Sequence, residues 1–282
     1  MATYTFSQVD VFGSRPLAGN PVAVVHDATG LDDERMAEFA RWTNLSETTF
    51  LLPPEDPGAD YRLRIFTPGE ELPFAGHPTL GSAHAWLESG GTPASADRVV
   101  QECGIGLVEL RREGDALAFR APGFLRTGPV DEETLGRVLG ALGVEPGQLV
   151  GAWWIDNGPG WLGLELDSAA SVLSLRPDFG ALDVDTGVIG PLDADERSST
   201  GADVEVRAFC PGMGINEDPV TGSLNAGFAV WLTGEGRLPP SYVARQGTAL
   251  GRDGRVRIST DDAGEVWVGG TSRTVVRGTV DL

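Results

Sequence analysis

The chain has 282 residues, a length that suits one large domain or two ordinary ones. It contains 41 acidic and 21 basic residues, and the resulting net charge of −20 disfavours nucleic acid and anionic membrane surfaces as partners. Every basic residue is an arginine, and the absence of lysine excludes Schiff-base, pyridoxal-phosphate and Walker-type phosphate chemistry.

Cysteine content and apolar runs indicate the compartment. Cys103 and Cys210 are too few for a disulfide framework, and the residues after Met1 show no basic stretch followed by an apolar one. No apolar run approaches the roughly 20 residues that cross a membrane. We therefore expect a cytoplasmic protein with no membrane partner.

Hydrophobic periodicity and turn residues predict strands interspersed with helices. The predicted strands cover residues 3–12, 20–26, 48–52, 61–67, 161–166, 203–209, 256–258, 266–268 and 274–280. The first predicted helix begins at residues 32–35 and ends near residues 43–44, and the others cover residues 78–87, 132–142, 169–175 and 224–232. The side chain of Asp32 is expected to cap the first helix. Residues 121–131 are interpreted as a linker and residues 180–201 as a long polar loop.

An internal repeat determines the expected architecture. Residues 64–69 and 207–212 share the pattern R-x-F-x-P-G at a spacing of 143 residues, and residues 73–77 match residues 219–223 at a spacing of 146. Further matches pair Gly81 with Gly227, Ala83 with Ala229, Gln101 with Gln246 and Gly106 with Gly251. Each copy contains a strand, a Gly/Pro loop and an apolar helix with almost no charge, which is typical of a helix buried on all sides. The repeat predicts two pseudo-equivalent halves, each with strands wrapped around a central helix.

Each predicted central helix is preceded by a glycine and a polar residue, Gly76-His77 in the first copy and Gly222-Ser223 in the second. Unpaired backbone N–H groups and the helix dipole favour anion binding at such a position. If the halves pack about a pseudo-two-fold axis, both helix starts would face one interdomain cleft and bind one carboxylate. The alternative is that the glycines only permit tight loops and close packing. The duplication favours the binding role.

Glu47 is a candidate general acid or base. It precedes an apolar, β-type run, and strand alternation directs it to the same side as Thr49 and Leu51. A carboxylate beside apolar neighbours loses hydration, which raises its pKa toward neutral pH. The alternative is a solvent-exposed glutamate on an edge strand.

Asp218 and His77 are the other ionisable residues close to the helix starts. An aspartate before a proline is commonly a loop or cap residue, but the position of Asp218 at the proposed cleft makes it a candidate for the site. His77 is either a structural hydrogen-bonding residue or a member of the site. No His-x-x-x-His or Cys-x-x-Cys spacing occurs, so we expect no metal and no cofactor.

Longer motifs of the chain resemble the PhzF family of phenazine-biosynthesis-like proteins. The motifs are Asn20-Pro21, Ser46 to Phe50, Arg64 to Pro68, Glu71 to Gly81, Glu217 to Ser223, Gln246-Gly247 and Val268 to Gly270. The resemblance covers nearly the whole chain. It implies a diaminopimelate-epimerase-like α+β fold: two pseudo-symmetric domains, each an antiparallel β-barrel around a central helix, with the active site between them and usually a homodimer.

The resemblance and the repeat together predict the domain boundaries. An N-terminal barrel domain is expected at residues 1–122 and a C-terminal barrel domain at residues 123–269. The last strand, residues 270–282, is expected to return to the first domain.

The resemblance also implies an activity and the residues that carry it. The characterised phenazine-pathway member of the family catalyses a cofactor-free isomerisation of a dihydro-hydroxyanthranilate. The implied residues are the catalytic Glu47, the neighbouring His77 and Asp218, and the carboxylate-binding Gly76, Gly222 and Ser223.

We therefore expect a cofactor-independent isomerase that moves a proton within a small unsaturated cyclic or amino carboxylate, of the trans-2,3-dihydro-3-hydroxyanthranilate isomerase type. Two alternatives remain open: a carboxylate-binding protein without turnover, and an epimerase or racemase that uses Glu47 and Asp218. Racemases of the wider superfamily carry paired thiols where this chain has Ala75 and Thr221, so a two-thiol mechanism is not expected.

Overall fold

The computed structural model of the protein describes residues 2–211 and 215–282; Gly212, the last residue of the second repeat motif, lies outside them. The chain divides into two compact units. Unit 1 comprises Met1–Arg120 and Gly269–Leu282, and unit 2 comprises Ala121–Val268. The end of the chain thus belongs to the same unit as its beginning.

Unit 1 contains two helices and a closed ring of strands. The helices are α1 (Asp33–Thr43) and α2 (Gly76–Glu88). The strands are β1 (Thr3–Val11), β2 (Asn20–Val25), β3 (Thr48–Leu52), β4 (Tyr61–Phe66), β5 (Glu71–Leu72), β6 (Arg98–Cys103), β7 (Gly106–Glu113), β8 (Ala116–Arg120) and the larger part of β17 (Val266–Asp281). Pairing runs β17–β1–β2–β3–β4–β6–β7–β8 and returns to β17, which closes an eight-stranded barrel.

Unit 2 repeats this order of pairing. Its helices are α3 (Glu132–Leu142), α4 (Ala169–Ser174), α5 (Ala194–Thr200) and α6 (Gly222–Gly234). Its strands are β9 (Arg126–Pro129), β10 (Leu149–Asp156), β11 (Leu162–Leu166), β12 (Thr186–Pro191), β13 (Val204–Phe209), β14 (Glu217–Asp218), β15 (Ser241–Gln246), β16 (Gly254–Thr260) and the start of β17. Pairing runs β9–β10–β11–β12–β13–β15–β16, strand for strand as in unit 1. The predicted fold class is confirmed.

The strands are not all antiparallel. In unit 1 the pairs β2–β3 and β4–β6 are parallel, and in unit 2 the corresponding pairs β11–β12 and β13–β15 are parallel. The chain passes through α1 or α4 within the first pair of each unit and through α2 or α6 within the second. Parallel neighbours require a crossover of this kind, whereas hairpins make antiparallel neighbours.

The central helices α2 and α6 are buried, and each begins two residues earlier than predicted. The matched glycines of the repeat explain how closely the strands approach them. A Cβ atom at Gly81 would lie 2.4 Å from Val22, and one at Gly227 would lie 2.9 Å from the carbonyl oxygen of Ile155. Both contacts are far shorter than van der Waals distances, so only glycine fits.

Several predicted elements agree closely with the structure. The strand at residues 48–52 and the helix at residues 132–142 coincide with β3 and α3. The Asp32 side chain accepts a hydrogen bond from the backbone N–H of Arg35, which confirms the predicted cap. Among the described residues, no helix is long and apolar enough to cross a membrane.

Other predictions were wrong. The supposed polar loop at residues 180–201 contains β12 and α5, and the supposed linker at residues 121–131 contains β9. Helix α5 begins with a capping box between Asp193 and Glu196, a pattern that the sequence displays. The two strands predicted at 266–268 and 274–280 are one 16-residue strand, because Gly269 and Gly270 continue it.

Candidate active site

In each unit an arginine–glutamate pair fixes the loop that leads into the central helix. Arg64 on β4 donates to both carboxylate oxygens of Glu71 on β5, at 2.7 and 2.6 Å. Arg207 on β13 makes the same bidentate contact with Glu217 on β14, at 2.9 and 2.8 Å. Both loops therefore leave an equivalent strand and enter an equivalent helix.

The two central helices differ from the four outer helices of the described chain in how they begin. The residues that cap α1, α3, α4 and α5 each accept a side-chain hydrogen bond from the first turn: Asp32, Asp131, Ser168 and Asp193. Ala75 and Thr221, which precede α2 and α6, make no such bond. Neither central helix is therefore capped by the side chain of the residue that precedes it, which is compatible with an anion-binding helix start.

In unit 1, Glu47 and His77 lie next to each other. Glu47 immediately precedes β3, and His77 is the second residue of α2. The Oε2 atom of Glu47 lies 3.3 Å from Nε2 of His77, and the two side chains are 15% and 5% exposed. The alternative of a solvent-exposed Glu47 is therefore wrong. Gly76, the first residue of α2, is also buried.

The His77 ring lies between Glu47 and Asn20, the first residue of β2. Its Nδ1 atom lies 3.4 Å from Nδ2 of Asn20, which is fully buried. Burial lowers the pKa of His77 to about 3, against a smaller opposing effect of the Pro21 carbonyl. The ring is therefore neutral at pH 7, so its contact with Glu47 is not between opposite charges.

The pKa of His77 predicts how stability depends on pH. The folded pKa of about 3 is below the unfolded value of 6.5, so the unfolded chain binds a proton that the folded chain excludes. The contribution of this group to the free energy of unfolding is fully present above pH 6.5. It decreases as the pH is lowered toward 3, by at most about 1.4 kcal/mol per pH unit. In urea unfolding at pH 7, 6 and 5, His77→Gln should lose less stability on acidification than the unsubstituted protein. Parallel curves would contradict this.

In unit 2, Asp218 is held at the start of α6. The Thr221 hydroxyl donates to Oδ2 of Asp218 at 2.5 Å. Gln246 donates to the Asp218 carbonyl at 3.1 Å and to the Thr221 hydroxyl at 2.9 Å, and it accepts from the Thr221 N–H at 3.0 Å. Asn225 donates to the same Gln246 oxygen at 2.9 Å. Because Gln246 is fully buried, it holds Thr221 and Asp218 in one arrangement.

Ser223, the second residue of α6, is oriented by two neighbours. Trp161, which is almost fully buried, donates from Nε1 to the Ser223 hydroxyl at 3.0 Å. Asn157 donates to the Ser223 carbonyl at 2.8 Å. A hydroxyl that accepts a hydrogen bond keeps its own proton for another partner. The Ser223 hydroxyl is thus disposed to donate to a ligand at the helix start.

Two aspartates that sequence reasoning missed shape the hairpins beside these helices. The Asp10 carboxylate accepts from the N–H groups of Ala18 and Gly19 at 3.0 to 3.2 Å. The Asp156 carboxylate accepts from two glycine N–H groups of its own loop at 2.8 Å. The Asp10 contact fixes the loop that delivers Asn20 to His77. The only sequence signal was an aspartate at the last or the penultimate position of a strand, before a loop that contains glycine.

The structure thus brings the predicted site residues together within each unit. In unit 1, Glu47 lies next to His77, which follows Gly76 in α2. In unit 2, Asp218 is hydrogen-bonded to Thr221, which directly precedes Gly222 and Ser223. Their roles in catalysis and carboxylate binding remain predictions.

Known proteins resemble the chain along its whole length. The family model of "Phenazine biosynthesis-like protein" matches residues 9–278. The trans-2,3-dihydro-3-hydroxyanthranilate isomerase of Pseudomonas aeruginosa is 36% identical over 262 residues, which cover 91% of this chain and 90% of the relative. Antisense-enhancing sequence 1 of Schizosaccharomyces pombe is 37% identical over an alignment that covers 99% of this chain and 99% of the relative. The crystal structure of a PhzF family protein from Enterococcus faecalis superimposes with a TM-score of 0.81 at 26% identity, over 100% of both chains.

Proposed function

This chain belongs to the family of phenazine biosynthesis-like proteins, and we propose that it is a cofactor-independent isomerase that moves a proton within a small unsaturated or amino carboxylate. The observation that carries the proposal is the duplicated, uncapped helix start, with Glu47 and His77 3.3 Å apart at the first of them. Isomerase activity agrees with the names of several relatives.

In this proposal Glu47 performs the proton transfer. Its carboxylate removes a proton from a carbon that neighbouring unsaturation makes acidic, and returns the proton to another carbon. Neutral His77 orients Glu47 and accepts or donates a hydrogen bond as the charge of Glu47 changes. Asp218, held by Thr221, positions the polar groups of the substrate.

The helix starts bind the substrate carboxylate in this proposal. The backbone N–H groups of Gly76 and Gly222 and the Ser223 hydroxyl supply hydrogen-bond donors. The dipoles of α2 and α6 add positive potential in a chain whose net charge is −20. The same donors stabilise negative charge that moves toward the carboxylate while the proton is on Glu47.

A carboxylate base is preferred over a pair of thiols. Ala75 and Thr221 occupy the positions directly before Gly76 and Gly222. Cys103 is on β6, and burial raises the pKa of its thiol, which keeps it protonated at neutral pH.

The first candidate substrate is trans-2,3-dihydro-3-hydroxyanthranilate, and NMR can follow its conversion without any added cofactor. We expect a product with a shifted double bond. Binding of this compound and of small amino carboxylates without any conversion would contradict the proposal and favour a carboxylate-binding protein. Inversion of one stereocentre without movement of a double bond would favour an epimerase.

The proposal includes a homodimer in the cytoplasm, without nucleic acid as a partner. It rests on the family resemblance and on the net charge of −20, which opposes binding to polyanions. Sedimentation equilibrium should give twice the mass of 29.7 kDa.

A further inference from the structure

Gln246 lies at the centre of a hydrogen-bonded network at the start of α6, and its side chain is fully buried. The Oε1 atom accepts from the backbone N–H of Thr221 at 3.0 Å and from the side-chain amide of Asn225 at 2.9 Å. The Nε2 atom donates to the backbone carbonyl of Asp218 at 3.1 Å and to the Thr221 hydroxyl at 2.9 Å. These four contacts use both donors of the glutamine amide and both lone pairs of its oxygen.

Two backbone groups fix the orientation of this amide. A backbone N–H only donates and a backbone carbonyl only accepts. The atom of Gln246 that faces the Thr221 N–H is therefore the oxygen, and the atom that faces the Asp218 carbonyl is the nitrogen. The nitrogen then also donates to the Thr221 hydroxyl. Because a hydroxyl has a single proton, the proton of Thr221 is left for the Asp218 carboxylate, whose Oδ2 atom lies 2.5 Å away.

The direction of these hydrogen bonds orients the Asp218 side chain. Asp218 and Thr221 are 7% and 8% exposed, so little water competes for the contact between them. A hydrogen bond to an ionised carboxylate is about twice as strong as one between neutral groups. The carboxylate is therefore ordered before a ligand arrives, and binding does not incur the entropic cost of ordering it.

Unit 1 contains a matching glutamine that also holds its central helix. Gln101 matches Gln246 in the repeat and is equally buried. It donates to the hydroxyl of Thr79 in the first turn of α2 at 3.0 Å, and it accepts from the Tyr61 hydroxyl at 3.0 Å. Both glutamines thus connect a strand of their own unit to the first turn of its central helix or to the residue before it.

Only the glutamine of unit 2 can act on a carboxylate in this way. The repeat matches Thr221 with Ala75, and the paired strands match Asp218 with Leu72. The side chains of alanine and leucine neither donate nor accept a hydrogen bond. The connection from Gln246 through a hydroxyl to a carboxylate is therefore a feature of unit 2 that the duplicated fold does not itself require.

We propose that Gln246 is a positioning residue of the ligand site: through the Thr221 hydroxyl it sets the orientation in which the Asp218 carboxylate meets the ligand. This inference rests on the proposed function, in which Asp218 positions the polar groups of the substrate. Gln246 and Thr221 act in series, so removal of both should weaken binding hardly more than removal of either one.

Isothermal titration calorimetry with 2-aminocyclohexanecarboxylate tests the inference, because this saturated amino carboxylate has no double bond to move. Thr221→Val removes the hydroxyl and should weaken binding about five- to tenfold, since binding must then order a released Asp218 side chain. Thr221→Ser keeps the hydroxyl and should stay within about twofold of the unsubstituted value. Gln246→Met keeps the size of the side chain without its amide and should weaken binding as much as Thr221→Val does. The double variant should lose about as much as each single variant, not the product of their losses.

Gln101→Met is the matched control, because it also replaces a fully buried glutamine that holds a central helix. Its affinity for the probe should stay within about twofold of the unsubstituted value. Urea unfolding should show that Gln101→Met and Gln246→Met reduce stability to a similar extent, so a purely structural role would not separate them. In the isomerisation, Thr221→Val should raise KM and leave kcat within about threefold, because Glu47 and His77 are unchanged.

Four results would overturn the inference. They are unchanged affinity in a folded Thr221→Val or Gln246→Met protein, equal losses of affinity in Gln246→Met and Gln101→Met, a double variant whose loss is the product of the single losses, and no binding of the probe by the unsubstituted protein. The calorimetry does not depend on catalysis. The expected order of affinities in a protein without isomerase activity would refute the proposed function and leave the positioning role intact, whereas isomerisation with unchanged affinities would refute the positioning role alone.

Discussion

Replacement of Glu47 by glutamine is expected to lower kcat for the isomerisation by about 10²- to 10⁴-fold, the range that general acid–base groups contribute. Glutamine keeps the size and the hydrogen-bonding capacity of the side chain beside His77 but cannot take up a proton at neutral pH. His77 lies 3.3 Å from this position, but its pKa of about 3 makes it a poor proton acceptor at neutral pH.

Two controls separate a loss of chemistry from a loss of structure. Glu70→Gln removes an exposed carboxylate from the loop after β4 and should leave kcat unchanged. The affinity of Glu47→Gln for 2-aminocyclohexanecarboxylate should stay within about threefold of the unsubstituted value, because the helix-start donors are intact. A Glu47→Gln protein that keeps its kcat would show that another group moves the proton.

Loss of the Arg207–Glu217 pair is expected to be the most destabilising change at the site. The two side chains are 7% and 8% exposed, and Arg207 also donates to the carbonyls of Val172 and Leu175. Arg207→Ala leaves a buried carboxylate and two carbonyls without their donor, which should lower the free energy of unfolding by about 3 to 5 kcal/mol.

The matching pair in unit 1 provides the comparison. Arg64 makes the same bidentate contact with Glu71, but Glu71 is 41% exposed and water can replace the arginine. Arg64→Ala should therefore lower the free energy of unfolding by only about 1 kcal/mol or less. Denaturant unfolding of both variants tests the difference. Equal losses would show that burial does not set the strength of these pairs.

The repeat explains why so much of the architecture could be predicted from the sequence. The motif R-x-F-x-P-G marks a strand with an arginine whose partner lies on the next strand. The matched glycines Gly81 and Gly227 are required because strands pack closely against the central helices at these positions. Each of these constraints fixes the residue type at a particular position of the motif, so the constraint can be recognised in the amino-acid sequence. The near absence of charged residues in α2 and α6 likewise predicted their burial.

What could not be predicted depends on contacts between distant parts of the chain. The parallel pairing of β2 with β3 follows from the path of the chain through α1, which no pattern within either strand reveals. Strand β12 lies in a segment interpreted as a loop, and only its register with β13 shows its place in the sheet. The low pKa of His77 is a result of burial, and the sequence offered only a histidine at a helix start.

Conversion of trans-2,3-dihydro-3-hydroxyanthranilate in deuterated water is the most direct test of the proton transfer assigned to Glu47. The proton on the Glu47 carboxyl exchanges with solvent before it is returned, so with the unsubstituted protein the product should gain one deuterium, located by NMR at the carbon that receives the proton. Glu47→Gln should form product and label about 10²- to 10⁴-fold more slowly. A labelled product that forms equally fast with Glu47→Gln would contradict the central role of this carboxylate.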